Sequence, residues 1–274
     1  MLLLVFLCSL NIVYATENIQ KEKCYNISEL PLDFNIEDIK QTKISDEKAT
    51  EIAEAMLVAS QEEMRKEIDM SISSITPPNS RAAQIVYLGT DKSITTADIG
   101  DYGKSSYGFT PAFYGSDYAT SSKKARETAL TGPIGLGTVN AWAYVGQTFN
   151  VSGSGTQSAN VYMEGKIKGM TQAFAGGSAS TNINFVVKDL TTGTSYKTNI
   201  YSVSTSLIDG KVVNQSFNRG IPMNLQGGHN YMAYLEVSGS GSAYSIGEAG
   251  SDFGPWDGDG ADESVSYTKI TIDF

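Results

Sequence analysis

Near its end the chain reads FGPWDGDGADES, from Phe253 to Ser264. Asp252 stands just before this run, which itself carries Asp257, Asp259, Asp262 and Glu263. Carboxylates this dense could hold calcium, work as an acid cluster, or line a wet turn. Calcium takes about six to eight hard oxygens, often from carboxylates two residues apart. Asp257 and Asp259 have that spacing, and Asp262 and Glu263 could complete a loose calcium loop. The EF-hand pattern is not met, because its fifth position holds Ala261 and its twelfth holds Thr268. Asp and Gly are also the ordinary residues of turns, so a solvated turn before a last strand, Ser264 to Asp273, is the favoured reading. Catalysis is the least supported of the three.

The second chemistry is aromatic. Tyr102, Tyr107, Phe109, Phe113, Tyr114 and Tyr118 fall within one short Gly- and Ser-rich stretch, and Trp256 follows Gly-Pro in a loop context. Exposed rings on loops suit stacking against the apolar faces of a ligand such as a sugar. The alternative is a satellite core beneath an irregular crossover.

Other chemistries fail on inventory. The chain has one imidazole, His229 in Gly-Gly-His-Asn, where a turn role suffices and no His-based triad is supported. Its two cysteines, Cys8 and Cys24, lie near the N-terminus and cannot supply a zinc set. Gly103-Lys104-Ser105 imitates the end of a phosphate loop, but Asp98 stands where its first glycine belongs. Glycoside hydrolysis needs paired carboxylates at set separations. Glu164, Glu236 and Glu248 are the β-region candidates, and their spacing defines no pair. No catalytic residue is assigned, and an enzyme is not the expected class.

These side chains need a scaffold, and the composition divides the chain sharply. All 27 glycines lie after Ser80, at a boundary marked by Thr76-Pro77-Pro78-Asn79-Ser80. Before it, Ile52, Ala53, Met56, Leu57, Met64 and Ile68 recur near a 3.6-residue period, with charges between. Ser45 is placed to cap that helix and Asp46 and Glu47 to meet its dipole. One amphipathic helix packed on the main domain is expected, a prosegment or oligomerising arm being the alternative. After the boundary the period becomes two. Val139 to Val151 reads as a long strand, as do the runs around Ile183-Phe185-Val187 and Tyr231-Ala233-Leu235-Val237. Thr192-Gly193, Asp209-Gly210 and Gly227-Gly228 supply turns, Asp209-Gly210 as a hairpin. About ten strands without intervening helices predict a mainly β fold, an antiparallel two-sheet sandwich of jelly-roll type, preceded by the helix. VSGSGT at 151–156 and VSGSGS at 237–242 are expected as two flexible loops.

The opening MLLLVFLCSLNIVYA is apolar, too short to span a bilayer and fitted for cleavage after Ala15. The expected division is a signal peptide at 1–15, a helical segment and linker at 16–80, and the sandwich at 81–274, secreted or on the cell surface. No sorting signal or anchor is read at the C-terminus. Cys24 would then stand alone, without an internal disulfide. Asn26, Asn150 and Asn214 begin Asn-x-Ser acceptors for glycans. A net charge of −10 and no large basic cluster argue against nucleic-acid binding.

GQTFNVSGSG, NVYMEGKIKG, FVVKDLTTG and IPMNLQGGHNYMAYLEV resemble the strand grammar of secreted jelly-roll sandwiches. Carbohydrate-binding modules and uncharacterised surface proteins share it. The resemblance covers Val139 to Phe274 and fixes no active residue. It implies a non-catalytic binding module for extracellular or cell-wall glycan, with structural calcium as an option. A self-associating envelope or matrix component and a glycan-acting hydrolase are the other expectations.

Overall fold

The apolar stripe before the Pro-Pro boundary does form one long helix. In a computed structural model, which describes residues 46–75, 84–109, 112–132, 134–174, 176–254 and 263–274, α1 spans Asp46–Ser73. Its 28 residues reach about 42 Å at ~1.5 Å per residue. Ala49, Ile52, Ala53, Met56, Leu57, Met64, Ile68 and Ile72 are buried. The far side carries exposed i,i+3 pairs, Lys48–Glu51 at 2.8 Å and Lys66–Glu63 at 2.6 Å. At the C-terminal end Ser73 Oγ donates to the Asp69 carbonyl and Ser74 Oγ to that of Ser71, while the Ser74 N–H reaches the Met70 and Ser71 carbonyls and closes the last turn.

Beyond the boundary, thirteen strands are described, in two sheets. In the first, β1 (Gln84–Tyr87) and β3 (Ile99–Phe109) both lie along β6 (Ile134–Ser152). β11 (Asn230–Ile246), β8 (Gly177–Asp189) and β9 (Ser195–Ser206) follow in that order. The second runs from β10 (Asp209–Gln226) to β7 (Thr156–Ala173). Next come β12 (Ala249–Asp252) and β13 (Ser264–Asp273), then β5 (Lys124–Thr131) and β4 (Ala112–Ala119). β2 (Lys92–Ile94) pairs with β13. Every pairing is antiparallel except β1 with β6.

Alternation sends one set of side chains between the sheets. Ala143, Val145, Phe149, Ile183, Phe185, Leu235 and Val237 meet Val161, Met163, Ile167, Phe217, Ile221 and Ile270 there. The Phe149 and Tyr231 rings stack with centroids 5.4 Å apart. The other set of the first sheet, Trp142, Tyr144, Val186, Met232 and Tyr234, packs under Met64, Ile68 and Ile72 of α1. The first sheet is therefore covered on both faces, which is why β11 opens with the nearly unbroken apolar run Tyr231 to Val237.

Two local expectations fail for a shared reason. Asp209-Gly210 is not a hairpin turn: β9 ends in one sheet, β10 begins in the other, and the bend is at Leu207-Ile208, with Leu207 at φ 63°. VSGSGS is not a loop but the middle of β11. Ser240 and Ser242 are fully buried, and Gly241 lies so close to β12 that a Cβ would come within 2.3 Å of the Ala249 carbonyl oxygen. Its twin at 151–156 is the expected turn, with Gly153 and Gly155 at positive φ.

The interior also holds a carboxyl. Glu127 of β5 is fully buried between the sheets and accepts a hydrogen bond from Ser251 Oγ. Ser251, Thr181 and Thr171 continue as a chain of buried hydroxyls at 2.5 and 2.6 Å. Glu127 Oε2 has no hydrogen-bond partner among the described residues, and it sits where a Cβ on Gly239 would be. Burial, with nearby Asp252 adding like charge, pushes this carboxyl up to about 8.

Candidate functional site

The sandwich has an open edge where β3, last in the first sheet, faces β4, last in the second. Among the described residues no further strand of either sheet lies beyond β3 or β4 at this edge. Tyr102 of β3 is 51% exposed and Tyr118 of β4 is 37% exposed. Their ring centroids are 6.2 Å apart, with planes inclined by 49°. Gly100 is what permits the approach: a Cβ there would lie 2.2 Å from the Tyr118 ring.

The rest of the seam holds these rings in place. Ser116 Oγ donates to the Gly103 carbonyl at 2.9 Å, tying β4 to β3. Asp101 Oδ1 accepts from its neighbour's backbone N–H at 2.9 Å, and Oδ2 from Ser71 Oγ of α1 at 2.5 Å. On the other side of Tyr118, Arg126 forks onto both oxygens of Asp117. Farther along, the Lys104 ammonium lies 4.9 Å from the centre of the Tyr114 ring. The edge thus offers two exposed rings set at an angle, with a charged donor on the same strand face as Tyr102.

The structure brings together only part of the expected aromatic set. Tyr107 and Phe113 are half-buried, and Tyr114 packs on Ala129, Val139 and Ala141, as a satellite core would have it. Phe109 ends β3, with its ring outside the described side chains. Trp256, Asp257, Asp259 and Asp262 lie outside the described residues, and Glu263 is half-buried just before β13. Among the described residues no group of three or more His, Cys, Asp or Glu is placed to hold a metal.

The acids weighed for hydrolysis sit in different surroundings. Glu164 pairs with Lys269 at 3.1 Å. Glu236 is buried and accepts from Asn184 at 3.0 Å and Lys197 at 3.1 Å. It floors a polar groove of about 470 Å³ between α1 and the first sheet, where Arg65 and Asp69 form part of the wall. Burial pushes the half-buried Glu248 carboxyl above its ordinary range. His229 is a turn residue as expected. Its Nδ1 lies 2.8 Å from Asp189 Oδ2, and the hydrogen bonds from His229, Thr191 and Thr192 outweigh burial and hold that carboxyl low. The phosphate-loop imitation is strand β3.

Of the Asn-x-Ser acceptors, Asn26 lies outside the described residues and Asn214 is exposed on β10. Asn150 Nδ2 donates to the His229 carbonyl and Asn230 Oδ1. Among the described residues no helix is long and apolar enough to cross a membrane.

The class defined so far is a two-sheet β-sandwich with a helix on one face and an aromatic seam at one edge. No protein-family model matches the chain, and no curated protein matches it. Among solved structures, the enzymatically active domain of bacteriophage CBA120 tailspike protein 4 aligns at 13% identity and a TM-score of 0.22. That alignment covers 62% of this chain and 19% of the tailspike chain. A family 35 carbohydrate-binding module from Clostridium thermocellum aligns at 12% identity and a TM-score of 0.18, over 64% of this chain and 98% of its own. TmCBM61, in complex with β-1,4-galactotriose, aligns at 11% identity and a TM-score of 0.17, over 61% and 91%. Likenesses this low assign no family and carry no functional argument.

Proposed function

We propose that this protein is a non-catalytic glycan-binding domain that works outside the cell, with Tyr102 and Tyr118 stacking on the apolar faces of sugar rings. The observation that carries this reading is the exposed tyrosine pair. A folded chain hides a ring when it can, because burying an aromatic side chain is worth about 1.5–3 kcal/mol. Here the two most exposed of the stretch's described rings stand side by side on rigid strands, the arrangement a preorganised ligand site needs. Tilted planes would accept a chain whose successive sugars are rotated, and Lys104 could donate to a hydroxyl. Export is supported by the apolar leader-like opening.

A glycan array probed with the full chain tests the reading. Binding to at least one glycan is expected, with affinity cut about tenfold or more in Tyr102→Ala and in Tyr118→Ala, a loss of roughly 1.4 kcal/mol each. Repeating the array with chelator separates any part played by calcium. An array without binders, or one unaffected by both substitutions, would sink the proposal, and release of reducing ends would favour a hydrolase.

One observation favours self-association as a second reading. The β9–β10 bend exposes Leu207, Ile208 and Val212, at 45%, 78% and 83%. Three exposed apolar side chains near one bend are a candidate contact. Sedimentation across a concentration series, with Ile208→Asp and Val212→Asp as controls, measures it.

A further inference from the structure

The outer face of the second sheet carries a hollow of about 370 Å³ lined by Lys124, Lys166, Lys168, Asn214, Ser264 and Ser266. Strand register explains its shape. Ser266 of β13 lies opposite Lys124 of β5 on one side and Lys166 of β7 on the other. Ser264 lies opposite Lys168, which on its far side faces Asn214 of β10. Short serines on the middle strand make a floor, and long lysines on both neighbours make the walls.

The charge there runs against the rest of the molecule. The chain has a net charge of −10. Lys48, Lys66, Lys197, Lys211 and Lys269 each pair with a carboxylate. Among the described residues Lys124, Lys166 and Lys168 have no ion pair or hydrogen bond, and no carboxylate lines the hollow. Like charges gathered around one hollow repel, and that cost is relieved when an anion sits between them. Every side chain in the lining can donate: three ammonium groups, which can only donate, two hydroxyls and an amide. Such a set matches an acceptor with several charged oxygens.

We propose that this hollow binds a carboxylate or sulfate ester carried by an acidic glycan. The hollow is open and lies on a flat sheet face, so an anionic group on an extended chain reaches it more readily than a molecule needing enclosure. The glycan carrier rests on the function proposed above; the anion site does not.

Affinity electrophoresis through polygalacturonate and its methyl ester, and through dextran sulfate and dextran, tests the assignment. The charged polymers should retard the wild type more than their neutral counterparts, and about 0.5 M salt should remove the difference. Lys124→Gln/Lys166→Gln/Lys168→Gln should lower affinity for the charged polymers about tenfold or more, with an unchanged circular dichroism spectrum. Tyr102→Ala/Tyr118→Ala should keep the gain of charged over neutral polymer. If no polymer binds but inorganic sulfate saturates lysine resonances in the wild type and not in the triple variant, the anion site stands and the glycan reading fails. Charged-polymer binding equal in wild type and triple variant overturns the site. So does tighter binding of an oligodeoxynucleotide than of polygalacturonate. So does polygalacturonate binding seen only in Asp257→Asn/Asp259→Asn/Asp262→Asn, since the chain's own acids would then be the occupants.

Discussion

Tyr102 and Tyr118 owe their close approach to a neighbour without a side chain. Gly100→Ala would put a methyl group into the Tyr118 ring, so it should disturb the pair while leaving both tyrosines in the sequence. Tyrosine fluorescence and glycan affinity should change together, whereas affinity unaltered by that substitution would argue that the pair's geometry is irrelevant. Glu127 allows a separate prediction at the same scale. Its folded form holds a proton up to about pH 8, whereas the unfolded chain releases one near its ordinary value of 4.5. Its contribution to stability is therefore complete below about pH 4.5 and lost as pH rises through 8, on the order of 3–5 kcal/mol in all. Denaturant unfolding at several pH values should show stability falling across that window, and Glu127→Gln should flatten the fall and be the more stable form at high pH. A wild type that gains stability between pH 5 and 9 would refute this account of Glu127. Single residues were only partly legible beforehand. The aromatic stretch announced itself by composition, but which rings would face solvent depended on β4 lying against β3. Glu127 gave no local sign, since Arg-Glu-Thr reads as an ordinary exposed triplet until its strand is known to point that carboxyl inward.

Among elements, α1 was the plainest to read, because Ile52 to Ile68 repeat at helical spacing whatever lies beneath. Its partner was not readable. Met232 and Tyr234 fall on the strand face opposite Tyr231, Ala233 and Leu235, and they form the floor on which the helix rests. Ile68→Ala should cost about 2–4 kcal/mol, read as a lower denaturation midpoint with loss of helical signal. A midpoint shift below about 0.5 kcal/mol would mean the helix is not docked as described. β11 gives the complementary case. Gly and Ser alternate at 238–242, a composition typical of loops, but both glycines face the second sheet and admit the Glu127 carboxyl and the β12 backbone there. Gly241→Ala should therefore destabilise by about 1–3 kcal/mol through overpacking. The same change at Gly155, which has open space around it but a φ of +85°, should act only through backbone strain, and equal responses to an added glycine Cβ contact at both places are not expected.

At the scale of the molecule, the chain repeatedly changes sheets, and this is what local patterns could not supply. Turn chemistry at Asp209-Gly210 marked a reversal but not whether the strands on either side pair. The sequence pattern did define two sheets' worth of alternating strands and a preceding helix, because burial on one face imposes period two wherever the chain pairs. It did not define the lysine hollow, in which Lys124 comes 42 residues before Lys166 and meets Lys166 and Lys168 only through register. The β3–β4 edge is the proposed seat of sugar rings. The most direct measurement is an NMR chemical-shift map of the full chain titrated with its best glycan from the array. The largest, saturating shifts should fall on Tyr102, Tyr118 and Lys104. Shifts confined to the groove between α1 and the first sheet, or none at saturating glycan, would contradict the claim.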